Sequence, residues 1–180
     1  MKIQIIGYSG SGKSTMAAEL GRQLGLPVLH LDNAHWYGSW QERSDEEMSA
    51  LVEAFLNEHE GWVIDGNYSR IAPARFEESD LTIFFNFARL PCFFAAWKRY
   101  RAYRGTPRES CPCPEKFDRT FRRWLLWESR TKKRRQQYLV NLSKTKGERV
   151  ILKNRKEANA FLAAFLAAFL AKHQGGVTPK

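Results

Sequence analysis

Six residues into the chain, an apolar run meets a glycine-rich turn that constrains everything after it. Lys2-Ile-Gln-Ile-Ile6 reads as a buried strand, and Gly7-Tyr-Ser-Gly-Ser-Gly-Lys-Ser14 follows it directly. The octapeptide fits G-x-x-x-x-G-K-[ST] in the strand-to-helix setting that the pattern requires. Gly7, Gly10 and Gly12 let the backbone turn tightly, so that its N–H groups converge on phosphate oxygens. Lys13 supplies a point charge for β and γ phosphates, and Ser14 offers a hydroxyl to Mg²⁺. The candidate nucleotide-binding stretch is therefore Gly7, Tyr8, Ser9, Gly10, Ser11, Gly12, Lys13, Ser14 and Thr15. A helix starting near Lys13 adds the positive end of its dipole. It runs to Leu24 with Met16, Leu20 and Leu24 on its buried face, and Gly25 and Pro27 end it.

The remaining chain alternates strands with helices. Strands are expected at 27–31, 61–65, 81–87 and 149–152. Helices are expected at 44–60, 90–103, 116–140 and 156–172, with a loop rich in Gly and Pro over 104–114. Ser44 and Glu47 form a capping-box pattern. Near-continuously apolar strands between helices imply an α/β fold, a parallel sheet covered on both faces. Ligands on such sheets sit beyond the carboxyl ends of the strands. The glycine-rich loop, Asp32 and Asp65 all lie at such ends, so they should converge on one crevice.

The two acidic residues then have work to do. A carboxylate at Asp65, beside a phosphate loop, holds Mg²⁺ or its water ligands together with Ser14; its alternative is a turn or capping aspartate. Asp32 either takes the proton of an attacking hydroxyl, binds the acceptor, or caps the next segment. His35, Trp36, Tyr37 and Trp40 are either a stacking platform for a base or sugar, or a packed aromatic loop. His30, between Leu29 and Leu31, reads as a satisfied interior histidine.

Charge is concentrated rather than spread. Of a net +10, residues 98–135 hold 14 Lys and Arg against 4 Asp and Glu, or +10, and the other residues balance. A field of that kind either has a phosphorylated ligand or a polyanion as its counterpart or is a solvated basic face that keeps the protein soluble. On one continuous helix over 116–140, Arg119, Arg122, Arg123, Arg130, Lys133 and Arg134 would share a stripe opposite Phe121, Trp124 and Leu125. Arg119, Arg123 and Arg130 are the candidate clamps on the transferring phosphoryl group. The same residues would also serve DNA-backbone contact, the competing use.

Three cysteines are too few for a disulfide framework, and Cys111-x-Cys113 lacks a second pair for a metal. No apolar run reaches the roughly 20 residues of a membrane span, and the N-terminus lacks a secretory pattern. A cytoplasmic location without membrane contact is expected. The period-four Phe-Leu-Ala-Ala stretch near the C-terminus is either a helix packed on the sheet or a patch for self-association; residues 173–180 are expected as a flexible tail.

Taken together, IIGYSGSGKST at 5–15, VLHLDNAHW at 28–36, WVIDGNYS at 62–69, CPEKFD at 113–118 and WESRTKKRR at 127–135 resemble the FlaR-type DNA topology modulation protein family, P-loop proteins related to adenylate kinase. The resemblance implies a nucleotide-kinase-like three-layer fold over residues 1–172, with sheet order 2-3-1-4-5. It implies an acceptor-binding helical region at 33–61 and a lid at 104–120. It also places Asn154 and Arg155, after the fifth strand, against the adenine. Asn67-Tyr68 departs from the Phe-Pro-Arg that follows Asp-Gly in adenylate kinases. The expected activity is ATP- and Mg²⁺-dependent phosphoryl transfer to a small acceptor, a nucleoside or nucleotide, by a monomer or homodimer. The alternative is a nucleotide-dependent DNA-binding protein.

Overall fold

The computed structural model describes residues 1–174, with side chains to residue 172. The chain runs β1 (Lys2–Gly7), α1 (Lys13–Leu24), β2 (Val28–His30), α2 (Leu31–His35), α3 (Asp45–Glu58), β3 (Trp62–Asp65), α4 (Ala74–Glu78) and β4 (Leu81–Phe85). It continues through α5 (Arg89–Ala102), α6 (Arg119–Leu126), a 3₁₀ turn (Glu128–Arg130), α7 (Lys132–Lys144), β5 (Glu148–Leu152) and α8 (Arg155–Gln174). The sheet is parallel throughout, in the order β2-β3-β1-β4-β5. The parallel α/β sheet is the one expected from the strand-helix alternation, and its order is the one that the resemblance to P-loop kinase-related proteins implies.

Burial explains why the strands read as continuous apolar runs. Ile3, Ile5, Ile6, Leu81, Ile83, Phe84 and Phe85 are covered from both faces and form one core with Met16, Leu20 and Tyr138. A second cluster, Leu31, Met48, Val52, Trp62, Ile64 and Ile71, lies under α3. The local signals around these cores hold. Gly25 closes α1 at φ 66°, its N–H bonded to the Gly21 carbonyl. Both halves of the Ser44–Glu47 capping box are made, at 3.1 and 3.0 Å.

The short helices α2 and α4 were not expected, several element ends shift by one or two residues, and two differences bear on the site. Strand two is shorter, and Asp32 sits in the first turn of the five-residue α2. The expected helix over 116–140 is broken. Asp118 accepts a hydrogen bond from Phe121 N–H at 2.8 Å, so α6 starts there and ends at Leu126. Thr131 accepts from Arg134 N–H at 3.2 Å, which starts α7, and α7 runs to Lys144. A helix cannot pass through a capping residue, whose side chain satisfies the orphan N–H of a new first turn. The six basic residues therefore do not share one stripe.

Phe161, Leu162, Phe165 and Leu166 of the C-terminal repeat pack against the main core, which favours the packed-helix reading of that stretch. Helix α8 continues through positions 173 and 174, where a tail was expected; residues 175–180 lie outside the described residues. Among the described residues no helix is long and apolar enough to cross a membrane.

Candidate active site

The loop after β1 is shaped by contacts that only glycine permits. A Cβ on Gly7 would collide with Phe85, its register partner on β4, and a Cβ on Gly10, at φ 77°, would collide with the Cys92 carbonyl of α5. The backbone thus lies against the sheet and α5, with Tyr8 N–H donating to the Phe85 carbonyl at 3.4 Å and Ser11 N–H to the Tyr8 carbonyl at 3.3 Å. Ser11 Oγ donates to the Tyr8 carbonyl at 2.6 Å, and Lys13 Nζ donates to the same oxygen at 3.2 Å. Asn67 clasps the start of the loop from the next strand. Its Oδ1 accepts from Gly7 N–H and its Nδ2 donates to the Gly7 carbonyl, both at 2.9 Å.

Asp65 ends β3 and is buried. Its Oδ2 accepts from Ser14 Oγ at 2.8 Å, and His30 Nδ1 sits against its Oδ1. His30 and Asp65 are register partners on adjacent parallel strands, so the sheet itself brings them together. Asp65 and Ser14 thus offer hard oxygen donors side by side beside Lys13. With phosphate oxygens and waters completing the shell, that donor set fits Mg²⁺. Burial pushes the Lys13 pKa below its ordinary value, opposed first by the Asp65 carboxylate and then by Asp32.

Both ends of the site open into one cavity of about 870 Å³. Ser9, Gly10, Gly12, Lys13, Ser14 and Thr15 line its phosphate end, with Asp65. Asp32, Trp36, Trp40, Tyr68, Arg99 and Arg108 line the other. Tyr68 OH donates to Asp32 Oδ1 at 2.8 Å. Burial, and then the Asp32 charge, push the Tyr68 phenol far above its ordinary range, so it remains a donor.

Beyond Asp32 on α2 and Arg99 on α5, the acceptor end is built from loops. Arg43 holds the turn after α2 by donating to the carbonyls of Asn33, Ala34 and Trp36 at 2.9, 3.2 and 3.0 Å. That turn is tied to the 104–118 segment: Asn33 Nδ2 donates to the Glu109 carbonyl at 2.7 Å, and Trp40 Nε1 to the Pro114 carbonyl at 3.0 Å. The Cys113 thiol donates to the Tyr37 carbonyl at 3.2 Å and accepts from Trp40 N–H at 3.2 Å. Glu115 takes Arg99 at 3.0 Å and also Arg108. Trp36 and Trp40 meet edge to face, with ring centroids 5.2 Å apart.

The expected residues are unevenly brought together. Lys13, Ser14, Asp32, Asp65 and Arg155 line the cavity, whereas Asn154 caps α8 by accepting from Glu157 N–H at 2.9 Å. Tyr8 and Ser11 are buried behind the loop. Arg119 is exposed at the start of α6, outside the cavity lining, and Arg123 is paired with Glu128 at 2.6 Å. Arg130 lies beside the loop, its guanidinium 3.7 Å from the Tyr8 ring centroid and donating to the Phe87 carbonyl at 2.7 Å. The arginines that line the cavity are Arg70, Arg99, Arg108, Arg134 and Arg155. Sequence reasoning gave no role to Asn67, Tyr68, Arg99 or Arg108. Side chains in loops and across helices carry no spacing pattern, and only the position of Asn67-Tyr68 just past a strand end marked those two.

No family model matches the chain. The uncharacterised protein YqaC of Bacillus subtilis (strain 168) is 35% identical over 65 residues, 36% of this chain and 36% of that protein. The match thus spans about a third of the length of each. Shikimate kinase from Bacteroides thetaiotaomicron superposes with a TM-score of 0.52 at 17% identity, over 94% of this chain and 98% of that one. An uncharacterised protein from Eubacterium ventriosum ATCC 27560 superposes with a TM-score of 0.50 at 12% identity, over 93% and 98%. At these identities the two structures show the shared fold.

Proposed function

We propose that the chain transfers the γ-phosphoryl group of ATP, with Mg²⁺, to a hydroxyl of a small acceptor, and that a nucleoside or nucleotide is the acceptor class to test first. The observation that carries this reading is the single cavity with Lys13 and the Ser14–Asp65 pair at one end and the Tyr68-bound Asp32 at the other. A shikimate kinase as structural neighbour supports the kinase class without supplying the acceptor.

Each residue then has a role. The backbone from Ser9 to Thr15 cradles the phosphates, and Lys13 compensates charge on the transferring group. Ser14 and Asp65 would hold Mg²⁺, which when bound neutralises charge on the β and γ oxygens. His30 fixes the rotamer of Asp65. Tyr68 occupies one oxygen of Asp32 and leaves Oδ2 for the acceptor hydroxyl. Asp32 takes the hydroxyl proton as the acceptor oxygen bonds to phosphorus, the bond to the β–γ bridging oxygen breaks, and ADP leaves. Arg130, beside the loop with Nε and one terminal nitrogen unpartnered, and Arg99 and Arg108, across the cavity, stabilise the spread negative charge.

The test is ADP release with Mg²⁺ and ATP against nucleosides, nucleoside monophosphates and small alcohols, with a no-acceptor control. Release stimulated by an acceptor and abolished in Lys13→Ala supports the reading and names the substrate. Release that no acceptor changes leaves an ATPase and rejects it.

A further inference from the structure

We propose that the recess between α7 and the turn after β3 binds an oxyanion of the phosphoryl acceptor, a carboxylate or a phosphate ester, through Asn141 and Arg134. This rests on the phosphotransferase reading and narrows its acceptor. Arg134, Gln137, Tyr138 and Asn141 stand at i, i+3, i+4 and i+7, one face of α7, and all four line the cavity. Asn67 to Ile71 line it from the β3 side, and the α4 that follows this turn packs on α7.

Asn141 is only 1% exposed. Its Oδ1 accepts from Gln137 Nε2 at 3.0 Å, while its Nδ2 is buried without a hydrogen-bond partner. A buried amide donor left unsatisfied is destabilising, so it persists where a ligand oxygen completes it. Nothing in the catalytic scheme uses this donor.

Arg134, two turns earlier on the same face, decides the charge of that ligand. Among the described residues it has no carboxylate within ion-pair distance, whereas Arg70 pairs with Asp45 at 3.1 Å and Arg123 with Glu128. A buried amide N–H and an uncompensated guanidinium together select an oxyanion over a neutral carbonyl, since a neutral group satisfies only the amide. The acceptor is therefore an alcohol whose hydroxyl faces Asp32 and whose anionic group lies against α7.

The experiment uses the full chain, ¹⁵N-labelled and saturated with Mg²⁺ and ADP so that the phosphate loop is filled. Inorganic phosphate and, separately, malonate are titrated while the side-chain amide signals of Asn141 and Gln137 are followed. A saturable shift of both signals is expected. Phosphate alone marks a phosphate ester as the group, malonate alone a carboxylate. Asn141→Leu, followed on Gln137, and Arg134→Gln should each weaken binding at least tenfold. Arg134 is exposed, so its variant keeps the test intact if Asn141→Leu does not fold. No saturable shift with either anion, or shifts unchanged in Arg134→Gln, overturns the proposal. Absence of acceptor-stimulated ADP release is a separate failure: it rejects phosphoryl transfer, while the amide titration still reads the recess.

Discussion

The two ends of the cavity are built by different means. At the phosphate end, the key groups are held by strand ends, by the backbone next to them and by the first turn of α1. Asp65 closes β3, His30 is its register partner on β2, Gly7 closes β1, and Asn67 clasps Gly7 with two 2.9 Å bonds. At the acceptor end, Trp36, Trp40, Arg108 and Cys111 stand on connecting segments tied by single side-chain bonds. The first is fixed by the sheet. The second is fixed by loop-to-loop bonds that opening would break one at a time. In the proposed reaction, the phosphoryl-transfer chemistry would fall on the rigid end and much of the choice of acceptor on the adjustable one.

The largest expected effect lies at the rigid end. Lys13→Ala removes the charge aimed at the transferring group from a partly desolvated site. Turnover should fall on the order of 10²–10³-fold, about 3–4 kcal/mol, by analogy with loss of one preorganised donor. The melting temperature should not fall, because burial already lowers the Lys13 pKa and its charge is a cost to the empty protein. A drop in melting temperature matching the loss of turnover would mean that Lys13 is structural.

Next in size is a stability effect at the seam between the two ends. Arg75 is fully buried, and among the described residues it has no carboxylate partner. Burial holds its pKa down at about 9. Its guanidinium donates to Gln4 Oε1 at 2.9 Å, to the Tyr68 carbonyl at 3.1 Å and to the Ile71 carbonyl, bracing the turn that carries Tyr68. Arg75→Met strands those acceptors. It should cost about 2–4 kcal/mol, roughly 5–15 °C in melting temperature, and should raise the acceptor KM more than the ATP KM. Equal changes in the two constants would show that the turn supports the whole cavity rather than its acceptor end.

Asn67→Ala tests the clasp on the phosphate loop. Loss of two side-chain bonds to one residue's backbone should cost about 1–2 kcal/mol. It should fall on ATP binding, roughly tenfold in affinity by titration, with the acceptor KM unchanged. A change confined to the acceptor would detach Asn67 from the phosphate end.

What was readable in the sequence follows the same division. The phosphate loop, the parallel sheet and the convergence of Asp32 and Asp65 on one cavity were legible because glycine spacing and strand-helix alternation are local and leave a pattern; the sheet order came only with the family resemblance. The Asp65–His30 contact was not, since it depends on which strands become neighbours. The break of the 116–140 helix was missed although its signals were local: Asp118 and Thr131 are capping residues, and the basic run around them reads as one amphipathic stripe. Arg119 and Arg123, both on α6, are not among the cavity-lining residues, whereas Arg99 and Arg108, on α5 and the loop after it, are.

The smallest effect bears most directly on the adjustable end. Trp40→Phe keeps an aromatic ring against Trp36 but deletes the Nε1–H donated to the Pro114 carbonyl at 3.0 Å. The bond is partly buried and water can replace part of it, so its loss should cost about 0.5–1.5 kcal/mol. Three other ties remain between the same segments: Asn33 to Glu109, and both bonds of the Cys113 thiol. The 104–118 segment should therefore open more often without detaching. Hydrogen exchange of its amides should speed up about two- to tenfold, while that of β1 and β3 stays unchanged. The acceptor KM should rise by a similar factor and the ATP KM should hold. If exchange in β1 and β3 rises in step with that of 104–118, the two ends unfold as one unit and the division between them fails.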